Sequence, residues 1–152
     1  MSLAQQVADK LAVVDTLYRF AAGIDLNDRA LLASTLAVNA MSDFRPAAAK
    51  AGFEYPVIQG KEAIVDALST SLRKLDTTHS VSNPRVTVDG DKALLEALVE
   101  AQHIPRDGTS RHYLMKNHYK VDLVRQGSGW VIQRTIVDNV WYEGDLEVLS
   151  VI

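Results

Sequence analysis

The chain has 152 residues, 47% apolar and 23% charged, which is the size and composition of one folded domain with a substantial core. Sixteen basic and nineteen acidic side chains give a net charge of −3, and no Lys/Arg run exceeds two, so neither nucleic acid nor an anionic membrane is expected as a main partner. Cysteine is absent, which removes disulfides, thiolate metal sites and cysteine nucleophiles and fits a cytoplasmic setting.

The N-terminal segment reads as a helix from about residue 3 to 23. Its apolar positions Leu3, Val7, Leu11, Val14, Tyr18 and Ala21 recur in steps of three and four, the stripe of one buried face. The next step of four lands on Asp25, a carboxylate where the pattern calls for an apolar residue. Asp9, Lys10 and Asp15 make this segment amphipathic, unlike a signal peptide, and no apolar run approaches the roughly eighteen residues of a membrane span. A short second helix is expected at 28–36 with Asn27 as N-cap. "NAMSDFR" reads as a short strand, and "PAAAKAGFEYP" as a loop or broken helical turn. "GKEAIVDALSTSLRKL" gives a third helix that buries Ile64, Leu68, Leu72 and Leu75.

After residue 76 the chain reads as strands at 78–88, 92–105, 111–125 and 130–142, separated by the turn signals "DGD", "PRDGTS" and "QGSG". Three helices followed by a meander of antiparallel strands is an α+β layout, read as a single domain over 1–152. Alternation then assigns the faces. In 92–105 the set Ala93, Leu95, Ala97, Val99, Ala101 is uncharged until His103. In 111–125 the set Tyr113, Met115, Tyr119, Val121, Leu123 is interrupted only by Asn117. His103 and Asn117 therefore face the helices from an otherwise apolar sheet, and Asp25 faces the sheet from the first helix. A core with three such intrusions is most simply a core with a polar pocket.

Each candidate also has an ordinary reading. Asp25 in "DLND" suits a solvated helix-end turn. His79, which alternates inward with Val81, suits a hydrogen-bonded core or rim histidine. His103 and Asn117 suit satisfied core polarity, while His112 and His118 lie on the charged strand face. Asp25, His79 and His103 have the composition of a two-histidine, one-carboxylate metal site, but no spacing selects it. An aspartate bonded to one histidine is the simpler arrangement, and neither a metal nor a cofactor is expected.

The stretches "VVDTLYRFAAGIDLNDRALLASTLA", "IQGKEAIVDAL", "DTTHSVSNPRVTVDGDKALLEA" and "HYKVDLVRQGSGWVIQRTIVD" resemble the SnoaL-like group of the nuclear transport factor 2-like superfamily, in order and over nearly the whole chain. The resemblance implies a cone formed by a curved antiparallel sheet and three helices, with a pocket at its open end. Among relatives of this kind, scytalone dehydratase and hexachlorocyclohexane dehydrochlorinase are cofactor-free lyases that pair a first-helix aspartate with an early-sheet histidine. Asp25 and His79 match those places, and His103 and Asn117 fall near a second pocket histidine and a pocket asparagine. The chain also departs from these relatives. Ile24 and Phe44 stand where the dehydratase holds a water with two tyrosines, and Phe20 stands where the dehydrochlorinase has a lysine. Asp43 lies near the basic aspartate of ketosteroid isomerase, where a shift of one residue would turn it out of the pocket.

These matches imply a dehydratase-type lyase acting on a small cyclic or aromatic metabolite, with Asp25, His79 and His103 catalytic. Asn117, Tyr18, Phe44 and Leu95 are expected to bind the substrate. An isomerase, a polyketide cyclase or a non-catalytic binding domain are the alternatives on this fold. Asp25 would hold His79 in a base-competent tautomer, and Asn117 and His103 would hold or protonate the developing oxyanion or leaving oxygen. In the last strand Trp130, Ile132, Ile136 and Val140 alternate with Val131, Val137 and Trp141, and both sets are too apolar to face water. One should meet the helices. The other should be covered by the tail "DLEVLSVI" or by a second copy in a homodimer or higher homo-oligomer, with Trp130 or Trp141 in the contact.

Overall fold

The computed structural model describes residues 1–151, with side chains through Leu149. Helix α1 (Leu3–Asp25) starts at Ser2, whose hydroxyl accepts the Gln5 N–H at 3.1 Å, and it runs far enough to hold Asp25 in its last turn. Its buried face is not the expected stripe. Leu3, Val7, Leu11 and Tyr18 are exposed, whereas Asp9, Val13, Thr16, Leu17, Phe20 and Ala21 are buried. The true face includes two polar residues, which distant partners satisfy. Thr16 donates to the Trp130 carbonyl at 3.1 Å, and Asp9 takes a bidentate pair from Arg125 at 2.9 and 3.0 Å.

Gly23 lies inside the helix. A Cβ there would sit 2.8 Å from the Leu32 nitrogen, so glycine permits α1 and α2 (Arg29–Ser34) to touch backbone to backbone. Asn27 takes a left-handed turn with φ 51°, and Asp28 is the N-cap of α2 in its place, accepting the Leu31 N–H at 2.9 Å. The segment expected to be a loop or broken helical turn forms α3 (Arg45–Ala51), with Pro46 in its first turn and Gly52 closing it at φ 88°. A two-residue strand not expected from sequence, β2 (Ile58–Gln59), precedes α4 (Lys61–Ser71). Leu75 opens a strand instead of ending that helix.

One six-stranded sheet carries these helices, in the order β2-β1-β6-β5-β4-β3. Its other members are β1 (Leu36–Asp43), β3 (Leu75–Asp89), β4 (Lys92–Pro105), β5 (Tyr113–Gln126) and β6 (Gly129–Gly144). The sheet is mixed, because β1 runs parallel to β6 while every other pairing is antiparallel. Bulges between Ser82 and Arg85, Lys116 and Asn117, and Asp122 and Leu123 bend the long strands. The inward sets of β4 and β5 are as alternation predicts: Ala93 through His103 and Tyr113 through Leu123 are buried at every second position.

In β6 the bulges break simple alternation. Trp130, Val131 and Ile132 are all buried. The Trp130 indole donates to Asp9 at 3.3 Å, and the Arg125 guanidinium lies 4.5 Å over its ring. Trp130 is therefore covered by its own chain and is unavailable to a partner. Trp141, which pairs with Lys116 on the outer face, is 46% exposed beside exposed Val140. The tail does not cover that face. It forms a 3-10 turn (Leu146–Val151) packed against β4 and β5, with Val148 fully buried. Among the described residues no helix is long and apolar enough to cross a membrane.

Candidate functional site

Between the helices and the inner face of the sheet lies a cavity of about 240 Å³. Phe20 and Ile24 from α1, Phe44, Phe53 and Tyr55 around α3, and Leu68 and Leu72 at the end of α4 form its apolar walls. The sheet supplies His79, Ala101, His103, Met115, Asn117 and Tyr119, and Leu149 closes it from the tail. Among the described residues no lysine or arginine lines it.

Asp25 and His79 meet at the edge of this cavity. The His79 Nδ1 lies 2.6 Å from Asp25 Oδ1, the His79 backbone N–H donates to Oδ2 at 2.7 Å, and the Thr77 hydroxyl donates to Oδ1 at 3.0 Å. Thr77 and His79 alternate inward on β3, so one stretch of strand brings three donors to one carboxylate. Burial pushes the Asp25 carboxyl up, but the His79 ring, its N–H and the Thr77 hydroxyl outweigh that and hold it below the usual range. An ionised Asp25 fixes the proton of His79 on Nδ1, and Nε2 is left as a lone pair toward the cavity. Asp25 also sits at the negative end of the α1 dipole, an unfavourable place for a carboxylate and a favourable one for a protonated imidazole beside it.

His103 is buried and its ring centroid lies 6.3 Å from that of His79. Its Nδ1 is 2.8 Å from the Tyr113 carbonyl, which can only accept, so Nδ1 carries the proton. Burial pulls the ring down to about 4, against the smaller raising effect of the Tyr113 carbonyl, and His103 is neutral at pH 7. Its Nε2 is thus an acceptor. In this neutral form it can receive a substrate hydroxyl. Asn117 is 1% exposed, and its Oδ1 accepts from Asn139 Nδ2 at 2.9 Å, which turns its own amide N–H groups toward the cavity.

Phe44 lines the wall as expected, but Tyr18 and Leu95 do not. Tyr18 is on the outer face of α1 and 47% exposed, because the buried face of that helix lies elsewhere. Leu95 does face inward, but it sits in the solid core, three turns of the β4 alternation from Ala101. Asp43 also turns away from the cavity while Ser42 and Phe44 face it, and its carboxylate is taken by Arg45 at 2.9 and 2.8 Å. Phe53, Tyr55 and Leu149 are not foreseen from sequence, because they come from a segment read as a loop or broken helical turn and from the tail. Among the described residues no group of three His, Asp or Glu is arranged to hold a metal ion.

The chain belongs to the SnoaL-like domain family, whose model matches residues 5–136. A relative from Penicillium crustosum, the terrestric acid biosynthesis cluster protein E, is 29% identical over 99% of this chain and 95% of its own length. Among solved structures, the hexachlorocyclohexane dehydrochlorinase LinA-type3 of Novosphingobium barchaimii LL02 superposes with a TM-score of 0.78 at 18% identity, covering 95% of each chain. A candidate scytalone dehydratase of Novosphingobium aromaticivorans DSM 12444 superposes at 0.76 and 16%, covering 95% of this chain and 92% of its own. At such identities these two likenesses establish the fold alone.

Proposed function

We propose that this protein is a cofactor-independent lyase of the dehydratase type, acting on a small neutral cyclic or aromatic metabolite. The observation that carries the reading is the 2.6 Å contact between Asp25 and His79 at the edge of an apolar cavity. His79 Nε2 removes a proton from carbon next to a carbonyl, and the imidazolium that forms is stabilised by Asp25 and the end of α1. A general base placed in this way contributes roughly 10²–10⁴ in rate. The absence of a lining lysine or arginine disfavours carboxylate and phosphate substrates, whose charge would be buried unpaired. The name of the Penicillium relative, which places it in a biosynthesis cluster, supports a metabolite as substrate.

A bare His103 Nε2 favours a second reading. With no protonated histidine opposite, His79 both takes and returns the proton. Return to the leaving oxygen gives elimination, and return to another carbon gives isomerisation. Incubation of a library of hydroxylated cyclic ketones in heavy water, followed by mass spectrometry, separates these outcomes. Elimination loses one water, isomerisation loses nothing but exchanges hydrogen for deuterium, and His79→Ala strongly slows either. A library that the wild type neither dehydrates nor deuterates would leave a binding domain as the better description. We propose further that two copies pair through the outer face around Trp141. Light scattering at the mass of one chain, 16.7 kDa, would overturn that pairing.

A further inference from the structure

Tyr119 has no part in the dyad, yet it lines the same cavity. It stands on the inward face of β5 two residues from Asn117, opposite Ala97 on β4 and Val137 on β6. The small Ala97 leaves room for its ring, and the residue is only 7% exposed. Its hydroxyl has no hydrogen-bond partner among the described residues. The Tyr113 hydroxyl is also unpartnered but is sealed off, whereas Tyr119 lines the cavity. A buried phenol without a partner is unfavourable until something completes its hydrogen bond, and an oxygen brought into the cavity does so.

The charges around the cavity decide which end of that bond Tyr119 takes. Burial, reinforced by the negative charge of Asp25, pushes the phenol up to about 12, so the group stays protonated and donates. Both histidines present bare Nε2 atoms, so the cavity has acceptors at one end. Opposing donors come from Tyr119 and Asn117, side by side on one strand. Thr135, across β5 from them on β6, also reaches the cavity, but an aliphatic hydroxyl is a weaker acid than a phenol.

We propose that Tyr119 is a catalytic residue whose hydroxyl, with the Asn117 amide, donates to the substrate carbonyl oxygen and holds the enolate formed when His79 takes the neighbouring proton. The inference rests on the reading of His79 as base. The C–H bond breaks with its proton going to His79 Nε2, its electron pair forms the carbon–carbon double bond, and the carbonyl π pair moves onto oxygen. That oxygen is then received by two donors already in position. On collapse, the leaving oxygen departs with the electron pair and takes the proton from His79, so atoms and charge balance. The substrate class is thereby narrowed to a ketone or related carbonyl compound with an acidic neighbouring C–H.

The test uses p-nitrophenol, whose ionised form imitates the enolate oxygen and is visible by its absorbance. Bound to the wild type, it should ionise at lower pH than in water. Tyr119→Phe should bind the phenolate about ten- to a hundred-fold more weakly and lose the shift, as expected for a hydrogen bond to a charged oxygen. Tyr18→Phe, at a tyrosine exposed on the outer face of α1, should change neither. Site-specific 3-fluorotyrosine at position 119 keeps the ring and makes the hydroxyl a stronger donor, so it should increase the shift; this variant decides the matter if Tyr119→Phe does not fold. Equal phenolate binding by wild type and Tyr119→Phe, or no response to the fluorinated ring, overturns the proposal. Because His79→Ala should still favour the phenolate, failure of the base reading and failure of the Tyr119 reading are separately visible.

Discussion

Helix α1 carries two carboxylates against the sheet, and they are treated in opposite ways. Asp9, near its start, is enclosed by the Arg125 fork, the Trp130 indole and Gln5. The Arg125 guanidinium, helped by Trp130 and Gln5 against a smaller cost of burial, holds Asp9 down at about 2. Its partner is a permanent cation that Asp91 and the Gly90 carbonyl hold from the other side, and nothing in the arrangement can change its charge near pH 7. Asp25, in the last turn, is paired with a ring that can gain a proton, and the ring's second nitrogen is unpartnered beside a cavity. The same side chain on the same helix is a clasp at one end and part of a proton-transfer device at the other. The difference lies in what the partner can still do once the bond is made.

Substitutions at the two ends should separate those roles. The largest effect is expected from His79→Ala, with kcat/KM falling about 10²–10⁴-fold while the unfolding midpoint stays near that of the wild type. Asp25→Asn should cost about 10²-fold in kcat/KM, because the amide no longer enforces a proton on Nδ1. A comparable loss from Asp9→Asn would break the distinction between the two ends.

His103 sharpens the comparison as a buried titratable group paired only with a carbonyl. It is neutral in the folded state down to about 4, whereas an unfolded histidine takes a proton near 6.5. The unfolded chain therefore binds the extra proton first, and stability should fall as pH drops from about 6.5 to 4. Denaturant titrations should show this slope reduced in His103→Gln. The smallest effect is assigned to Asp9→Asn, which should lower the midpoint by about 2–4 °C and leave kcat within about twofold. The stabilisation from Asp9 is complete above its unfolded value near 3.8 and is lost as pH falls toward about 2, so the variant should lack that acid transition.

The inward face of the sheet was legible in the sequence and the buried face of the first helix was not, for a physical reason. A strand has two faces and a repeat of two, so His103 and Asn117 could be placed inward from their neighbours alone. Alternation gives the face but not the depth, and Leu95 was accordingly assigned to a wall when it lies in the solid core. In α1 the exposed Leu3, Val7, Leu11 and Tyr18 form a better apolar stripe than the buried face does. Asp9 and Thr16 belong to the core because Arg125 and Trp130 come to meet them from more than a hundred residues away. No local pattern carries that information. Asp25 was found although the stripe that pointed to it is the wrong face, since the helix runs two residues past Gly23 and its last turn tips against β3. The wall formed by Phe53 and Tyr55 was hidden by Pro46, which reads as a breaker yet starts α3.

Ala101 separates His79 on one neighbouring strand from Met115 on the other, and it forms part of the cavity floor with a single methyl group. The size of the chamber is thus written at a position that carries no chemistry. Changing that methyl to an isopropyl or isobutyl group would raise the floor under the same base, so evolution or a protein engineer could retune which molecules fit while the proton-transfer machinery is inherited intact.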